Sequence, residues 1–315
     1  MLTLDAQATR DVLPLAPLID ALRAMFASAC TVPPRHVHEV TRHDTAAMTS
    51  LIMPAWTQQH YGVKVVNIAP GNAARGLPGL HASYVLYDAT TGAPLALLDG
   101  DEITSRRTAA ASALAASFLA RQDASHLLVV GAGKVAQMLP LAYAAVRPID
   151  RVSIWARSRS RAESVAMALR AQGLPATAVD DLPVAVSQAD IVSCATLATA
   201  PLVLGQWLGA GSHLDLIGGF TPTMREADDD CFADASVFVD TDEALRKSGD
   251  LLGPLSRGIL RADDVRATLS SLVRGKHRGR QTRNEHTVFK SVGTALEDLA
   301  AGVMAYQRWT QSHPA

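Results

Sequence analysis

Apolar residues recur at helical spacing near the start of the chain. Between residues 11 and 29 they fall every three or four positions, as at Leu15, Leu18 and Leu22, and this spacing predicts an amphipathic helix. Four shorter segments follow, each rich in β-branched or aromatic residues and bounded by turn signals, at residues 49–53, 62–68, 80–87 and 95–99. Their close spacing predicts antiparallel strands.

The pattern changes in the middle of the chain. An alanine-rich segment at residues 102–121 has a high helix propensity. Five apolar runs then alternate with helical stretches, at residues 127–130, 152–155, 191–195, 214–217 and 237–239. This alternation predicts a parallel, doubly wound sheet and an α/β fold class. A last helix is predicted at residues 289–309 and is expected to return to the first part of the chain.

A glycine turn follows the first of these five runs. Gly131-Ala132-Gly133-Lys134-Val135-Ala136 has the GxGxxA spacing of dinucleotide-binding turns and lies between a predicted strand and a predicted helix. Gly131 permits the tight turn, Gly133 lets the backbone approach a pyrophosphate, and Ala136 lets the helix pack on the strand. The N-terminus of the helix offers N–H groups to phosphates. Gly131, Ala132, Gly133, Val135 and Ala136 are therefore predicted to contact a dinucleotide.

The end of the next strand indicates which dinucleotide would bind. NAD enzymes usually place an acidic residue here for the ribose 2′-hydroxyl, whereas this chain has Ala156-Arg157-Ser158. Guanidinium groups pair well with phosphates, so we expect NADPH to be preferred and NADH to be possible. The alternative is that Arg157, Arg159 and Arg161 are only a solvated helix start. Thr196, after residues 191–195, is either a further cofactor contact or a helix cap.

Composition and charge narrow the class of protein. The 315 residues are 48% hydrophobic and 19% charged, and the net charge of −1 creates no global field that would attract nucleic acid. We find no apolar run of the roughly 20 residues that a membrane span needs, and the N-terminus is unlike a signal peptide. We therefore expect a soluble, cytoplasmic protein of two domains, without nucleic-acid or membrane partners.

A group of histidines raises the question of a metal site. His36, His38, Glu39 and His43 have a spacing that could bring alternate side chains to one side of a strand. The sequence contains neither an HExxH motif nor a paired-carboxylate scaffold around them, and two prolines mark a surface turn just before. We expect no metal.

Three segments together resemble the ornithine cyclodeaminase and mu-crystallin family. They are DGDEITSRRTAA at residues 99–110, the glycine turn, and TVFKSVG at residues 287–293. The resemblance spans nearly the whole chain and implies a central Rossmann NAD(P)-binding domain at residues 119–290. It also implies an α+β substrate-binding and dimerisation domain from residues 1–118 and 291–315, catalysis in the cleft between the domains, and a homodimer.

The same resemblance implies which residues hold the substrate. Arg35, Lys64 and Arg107 match positions that bind a substrate carboxylate in such relatives, and the planar fork of arginine suits that group. Lys64 lies in a run of valines, where a ligand carboxylate would offset the cost of burying its charge. The alternatives are a snorkelling lysine and a surface ion pair of the arginine. Ser83 matches a small hydroxyl residue near the substrate, and His81 is a candidate proton donor or an ordinary strand histidine.

One position departs from the cyclodeaminase pattern. Phe220 follows Gly218-Gly219 where that pattern has an aspartate, and a phenyl ring cannot shuttle the protons that ornithine cyclisation requires. Reducing a cyclic imine needs only hydride delivery and positioning. The resemblance therefore implies NAD(P)H-dependent reduction of a cyclic ketimine carboxylate, such as 1-pyrroline-2-carboxylate, to L-proline. Ornithine cyclodeaminase or alanine dehydrogenase activity, or a non-catalytic ligand-binding protein of the mu-crystallin type, remain as alternatives.

Overall fold

The computed structural model of this chain describes residues 1–42 and 45–314. The chain forms two compact units, one made of Met1–Arg107 with Thr294–Ala315 and the other of Thr108–Gly293. Among the residues described, we find no helix with both the length and the apolar character needed to cross a bilayer.

The first unit is built on a sheet that has six strands within the described residues. They are β1 (Leu2–Leu4), β2 (His36–Arg42), β3 (Thr45–Trp56), β4 (His60–Ile68), β5 (Leu80–Asp88) and β6 (Pro94–Asp99). Their order is β1-β6-β5-β4-β3-β2, and all neighbours are antiparallel except β1 and β6. The four predicted strands and their antiparallel pairing are confirmed, whereas β1 and β2 have no counterpart among the predicted strands.

Helices pack on one face of this sheet. The first unit contains α1 (Ala6–Val12), α2 (Leu15–Ala27), the start of α3 (Gly100–Leu119) and, from the other end of the chain, α10 (Ala295–Ser312). The prediction of one helix at residues 11–29 is wrong, because Pro14 lies between α1 and α2 and proline supplies no backbone N–H to continue a helix. The helix predicted at residues 102–121 is confirmed by α3. A short 3-10 helix, Pro70–Arg75, follows β4.

Alternation along β4 determines which side chains face the helices. Gly62, Lys64 and Val66 are buried on the side of α10, and the residues between them are half-buried on the opposite face. The register places Lys64 between Met53 of β3 and Tyr84 of β5. A lysine therefore lies in the buried row of this sheet.

The second unit is a parallel sheet, with eight strands in the part of the chain that the structure describes. The strands are β7 (His126–Val130), β8 (Arg151–Trp155), β9 (Ala176–Ala178), β10 (Ile191–Cys194), β11 (His213–Leu216), β12 (Ser236–Val239), β13 (Val265–Thr268) and β14 (Thr287–Lys290). The order is β13-β12-β14-β11-β10-β7-β8-β9, and every neighbouring pair is parallel. The predicted doubly wound, Rossmann-like sheet is confirmed.

Helices connect these strands. They are α4 (Lys134–Ala144), α5 (Arg159–Ala171), α6 (Leu182–Gln188), α7 (Ala244–Lys247), α8 (Gly249–Ser256) and α9 (Leu269–Val273), with short 3-10 helices at Gly205–Trp207, Asp229–Cys231 and Ala262–Asp264.

The end of the chain differs from its prediction. Residues 289 and 290 belong to β14, which pairs with β11 and β12 and is buried along its whole length. Gly293, with a φ of +76°, then separates the strand from α10. A short apolar run cannot be assigned to a strand or a helix by periodicity alone, so the predicted helix started too early.

The sheet reverses its winding between β7 and β10. β8 lies on one side of β7, and β10 lies on the other. In open α/β sheets, ligands bind outside the carboxyl ends of the strands at such a reversal. The glycine turn follows β7, and Thr196 follows β10, so both predicted cofactor segments lie at this point.

Candidate active site

The glycine turn has the backbone geometry that its sequence predicts. Gly131 adopts a φ of +134°, and its N–H donates to the carbonyl oxygen of Trp155 at 2.8 Å. A Cβ at this position would lie 2.6 Å from the carbonyl oxygen of Ala195, so a side chain does not fit between the ends of β7 and β10. Glycine is therefore required here.

The start of α4 offers N–H groups to a ligand. Gly133 is its N-cap, and no side chain in the described part of the chain caps the helix. A Cβ at Gly133 would meet nothing within 4 Å among the described residues. Ala136 is fully buried, and Ala132 and Val135 are half-buried. The first N–H groups of a helix lack partners within the helix, and an anion can approach them here. The turn therefore fits a pyrophosphate.

The residues after β8 form the start of α5. Ala156 is half-buried, Arg157 is exposed, and Ser158 is the N-cap of α5. Arg159 is held by the carboxylate of Asp180. Arg157 therefore supplies an exposed guanidinium group at a helix N-terminus, whereas Arg159 already has an acidic partner.

Thr196 is held by a glutamate that the sequence reasoning did not single out. Oε1 of Glu226 accepts hydrogen bonds from the Thr196 backbone nitrogen at 2.7 Å and from its hydroxyl at 2.8 Å. Oε2 accepts a hydrogen bond from the Gly218 nitrogen at 2.6 Å. Burial raises the pKa of Glu226 to about 7, although the charge of Lys290 acts in the opposite direction. One buried carboxylate thus joins the loop after β10 to the loop after β11.

A buried ion pair lies next to this glutamate. Lys290 Nζ is 3.0 Å from Asp250 Oδ2, and both side chains are fully buried. Asp250 Oδ1 accepts hydrogen bonds from the backbone nitrogens of Glu226 and Ala227, at 2.7 and 3.2 Å. A Cβ at Gly219 would overlap Asp250 Oδ2. The one signal in the sequence was a lysine inside an apolar strand, which requires a buried partner.

Phe220 follows this glycine pair. Its ring is half-buried and packs against the core of the second unit, and its backbone N–H donates to the carbonyl oxygen of Gly218 at 3.0 Å. An apolar ring therefore occupies the position for which the cyclodeaminase pattern has an aspartate.

In the first unit, Lys64 and Arg107 contact two acids of α10. Lys64 Nζ is 2.7 Å from Asp298 Oδ1 and 3.2 Å from Thr104 Oγ1. Arg107 donates from Nε to the same Asp298 oxygen at 3.0 Å, and from its terminal nitrogen to Glu297 Oε2 at 2.5 Å. Burial lowers the pKa of Lys64 to about 8, while Asp298 acts to raise it. All four charged side chains are buried.

These contacts differ from the hypothesis that a ligand carboxylate could offset the cost of burying the charge of Lys64. Asp298 of the same chain does so, and Lys64 is 1% exposed rather than snorkelling to solvent. Arg107 is likewise buried rather than in a surface ion pair. Glu297 and Asp298 were missed because acidic residues in the first turn of a helix are ordinary partners of the helix dipole.

The other predicted substrate residues, Arg35, His81 and Ser83, lie outside the buried cluster of Lys64 and Arg107. Arg35 is half-buried and directly precedes β2, and continuing the register by one residue puts it in the same row of the sheet as Lys64. His81 and Ser83 are exposed on β5, on the face opposite to Tyr84, which pairs with Lys64. The sheet therefore separates His81 and Ser83 from Lys64, and the structure does not bring these residues together.

The histidines near the N-terminus do not form a metal site among the described residues, where no group of three or more His, Cys, Asp or Glu is placed to hold an ion. His36 and His38 are exposed, with ring centroids 6.5 Å apart. His43 lies outside the described residues.

Comparison with known proteins finds similarity along nearly the whole chain. The model of the ornithine cyclodeaminase/mu-crystallin family matches residues 5–313. A Delta(1)-pyrroline-2-carboxylate reductase of Paracoccus denitrificans is 46% identical over 254 residues, covering 80% of each chain. The structure of Thermococcus litoralis Delta(1)-pyrroline-2-carboxylate reductase in complex with NADH and L-proline is 32% identical, with a TM-score of 0.93 over 99% of this chain and 98% of that one. An archaeal alanine dehydrogenase dimer with bound NAD is 27% identical, with a TM-score of 0.91 over 100% and 97%.

Proposed function

Since this chain belongs to the ornithine cyclodeaminase/mu-crystallin family, we propose that it reduces a cyclic ketimine carboxylate, such as 1-pyrroline-2-carboxylate, to L-proline with a nicotinamide cofactor. The strongest support is the likeness over 99% of the chain to the Thermococcus reductase, which was solved with NADH and L-proline. The Paracoccus relative bears the same name. Phe220 favours reduction over cyclodeamination, because a phenyl ring cannot transfer protons.

The second unit supplies the residues that would hold the dinucleotide. The N–H groups at the start of α4 suit the pyrophosphate. The residues that would contact the dinucleotide here are Gly131, Ala132 and Gly133 of the turn and Val135 and Ala136 of α4. Thr196, fixed by Glu226, would contact the cofactor at the end of β10. Bound there, the nicotinamide supplies the hydride that reduces the C=N bond.

We further propose that NADPH is preferred and that NADH is also accepted. Ala156 stands where an acidic residue would hydrogen-bond the ribose 2′-hydroxyl of NAD. The exposed guanidinium of Arg157 and the start of α5 at Ser158 offer positive charge to a 2′-phosphate instead.

In the first unit, Lys64, Arg107 and Arg35 would hold the substrate carboxylate. Asp298 and Thr104 use two of the three N–H groups of the Lys64 ammonium, so a third can donate to a ligand. Arg35 would approach from two strands away, about 10 Å along the row. His81 and Ser83 face the other side of the sheet, and we do not propose them as proton donors.

We also propose a homodimer that forms through the outer face of this sheet. The face opposite α10 carries half-buried Ile52, Val63, Val65 and Val85, with exposed Trp56 near its edge. An apolar sheet face of this kind is typical of an interface, and a two-fold dimer would cover it with its own copy. Light scattering should give twice the mass of one chain, and Val65→Lys should give monomers. A monomeric wild type would contradict the dimer.

A substrate panel tests the proposed reaction. 1-Pyrroline-2-carboxylate, 1-piperideine-2-carboxylate, ornithine, and pyruvate with ammonia are each mixed with NADPH or NADH, and oxidation of the cofactor is followed by absorbance. We expect oxidation with the cyclic imino acids, and more efficient turnover with NADPH. Release of ammonia from ornithine would indicate a cyclodeaminase, and turnover restricted to pyruvate with ammonia an alanine dehydrogenase. Cofactor binding without turnover of any compound would indicate a binding protein.

A further inference from the structure

The buried charges around Lys64 are balanced by the chain itself. Lys64 and Arg107 are cations, and Glu297 and Asp298 at the start of α10 are their anionic partners. The side chains of Lys64 and Asp298 are 1% and 0% exposed. A single oxygen, Asp298 Oδ1, accepts hydrogen bonds from both Lys64 Nζ and Arg107 Nε. One carboxylate therefore fixes both of the buried cations that we propose as ligands of the substrate carboxylate.

We propose that Asp298 is a positioning residue that keeps the Lys64 side chain in its ammonium form and holds Lys64 and Arg107 together to receive the substrate carboxylate. This inference rests on the proposed function and deepens it. Asp298 acts through the two cations, and its own carboxylate takes no part in the transfer of hydride.

The groups that face Lys64 act on its protonation in opposite directions. Burial and the positive charge of Arg107 disfavour the ammonium form, while Asp298 and, to a smaller extent, Glu297 favour it; the result is a pKa of about 8. Tyr84 faces Lys64 from β5, and its buried hydroxyl has no hydrogen-bond partner in the part of the chain that the structure describes. Burial raises the pKa of Tyr84 far above its usual range, so it stays neutral and adds no negative charge.

A lysine with a pKa of about 8 is protonated at neutral pH but depends on its carboxylate partner to remain so. A buried ammonium without such a partner is strongly disfavoured and releases its proton. A neutral amine cannot form an ion pair with the substrate carboxylate. Loss of the Asp298 charge should therefore weaken substrate binding as the pH rises, with a smaller effect on the step that follows binding.

The pH dependence of KM and kcat for the cyclic imino acid provides the test. Asp298→Asn is compared with Glu297→Gln, a matched control that also replaces one carboxylate by an amide in the same turn of α10. In the wild type we expect KM to rise above a pH of about 8. In Asp298→Asn the rise should begin at lower pH, so that KM at the same pH is on the order of tenfold higher while kcat changes less. Asp298→Glu, which restores the charge, should return the profile towards that of the wild type.

Two outcomes of this comparison overturn the proposal. One is a KM profile of Asp298→Asn that coincides with that of the wild type. The other is an equal displacement in Glu297→Gln, which would mean that any loss of charge from α10 has the same effect.

A measurement without substrate separates this inference from the proposed reaction. In protein labelled with 13C-lysine, the Cε resonance of Lys64, assigned by its loss in Lys64→Met, reports the titration of its amine directly. We expect it to titrate at lower pH in Asp298→Asn than in the wild type. If the wild type reduces none of the imino acids while this shift is present, the proposed function fails and the control of Lys64 by Asp298 stands. If the wild type is active and the titration is unchanged, the inference fails alone.

If Asp298→Asn does not fold, the wild type still tests whether the ammonium form of Lys64 receives the substrate carboxylate, a step on which the proposal depends. Coincidence of the rise in KM with the titration of the Lys64 resonance supports the proposal. A rise in KM at a clearly different pH overturns it.

Discussion

Glu226 binds Thr196 through two hydrogen bonds, from the backbone nitrogen at 2.7 Å and from the hydroxyl at 2.8 Å. Its second oxygen accepts a hydrogen bond from the nitrogen of Gly218 at 2.6 Å. Thr196 follows β10 and Gly218 follows β11, so a buried carboxylate fixes two loops at the carboxyl edge of the parallel sheet. Because ligands of such sheets bind at this edge, Glu226 should control the shape of the proposed cofactor site.

Replacing Glu226 with glutamine should weaken cofactor binding. An amide has one acceptor oxygen, so its NH₂ group would meet an N–H group of either Thr196 or Gly218 and leave it without a partner. A buried donor left in this way costs about 1–3 kcal/mol. We expect a loss of that size in the free energy of unfolding and a dissociation constant for NADPH about tenfold higher. Urea unfolding and fluorescence titration measure the two effects.

The control for this prediction is Glu243→Gln. Glu243 is a partly exposed carboxylate in the same unit, paired with Lys247 at 3.2 Å, and exposed pairs contribute little to stability. Glu243→Gln should change neither the free energy of unfolding nor the dissociation constant for NADPH. Equal effects of the two substitutions would contradict the assigned role of Glu226.

The two glycines of the turn should respond differently to alanine. Gly131 has a φ of +134°, and a Cβ there would lie 2.6 Å from the carbonyl oxygen of Ala195, so Gly131→Ala should lower the free energy of unfolding by about 1–3 kcal/mol. At Gly133 the φ is −79° and a Cβ meets nothing within 4 Å. Gly133→Ala should therefore fold like the wild type but bind NADPH at least about tenfold more weakly, because the methyl group obstructs the pyrophosphate.

Thermal unfolding with and without NADPH distinguishes these two effects. Gly131→Ala should unfold at lower temperature in both conditions. Gly133→Ala should differ from the wild type only when the cofactor is present. A Gly131→Ala variant as stable as the wild type would show that the turn tolerates a side chain.

Elements with a clear period could be predicted from the sequence, and so could the turn between β7 and α4. β3 to β6 and the parallel strands β7, β8, β10, β11 and β12 have enough alternating or apolar residues to show their type. β14 is as short as β10 to β12 and was not recognised, because its sequence TVFK has only two apolar residues, between a threonine and a lysine. Pro14 was overlooked because the apolar period continues through it into α2.

The partners of the buried charges could not be predicted. Asp298 is 234 residues away from Lys64, and Glu226 is 30 residues away from Thr196. A periodic pattern tells which face of an element is buried, but it contains no information about which distant side chain meets that face. Lys64 could therefore be selected from the sequence, whereas its carboxylate partner could be found only from the fold.

Asp215 should make the protein less stable as the pH rises. It is fully buried in β11 and accepts hydrogen bonds from Ser193 at 2.5 Å, Tyr143 at 2.8 Å and Ser112 at 3.2 Å. Burial raises its pKa from 3.8 to about 6, although these three hydroxyl groups act in the opposite direction. The folded state then binds the proton more tightly than the unfolded state. The stability that the protonated acid contributes is therefore lost as the pH rises from about 4 to about 6.

Asp215→Asn should remove this dependence. The amide oxygen can accept the hydrogen bonds of Ser193 and Tyr143, and its NH₂ can donate to Ser112, so the variant should remain folded. The free energy of unfolding of the wild type, relative to the variant, should fall by on the order of 2 kcal/mol between about pH 4 and pH 7. Urea unfolding of both proteins at the two pH values measures this difference. If the difference in the free energy of unfolding does not vary with pH, the pKa of Asp215 is not raised in the folded protein.

Arg157→Ala should affect NADPH and NADH differently. The exposed guanidinium of Arg157 would pair with the 2′-phosphate, a group that NADH lacks, so we expect the KM for NADPH to rise about tenfold and that for NADH to stay the same. Steady-state kinetics with both cofactors measures the ratio, with Arg161→Ala, an exposed arginine farther along α5, as the matched control. High salt should reduce the preference of the wild type, because salt screens exposed charges. An equal loss with both cofactors would mean that Arg157 contacts a part of the dinucleotide common to both, and the preference for NADPH would then need another source.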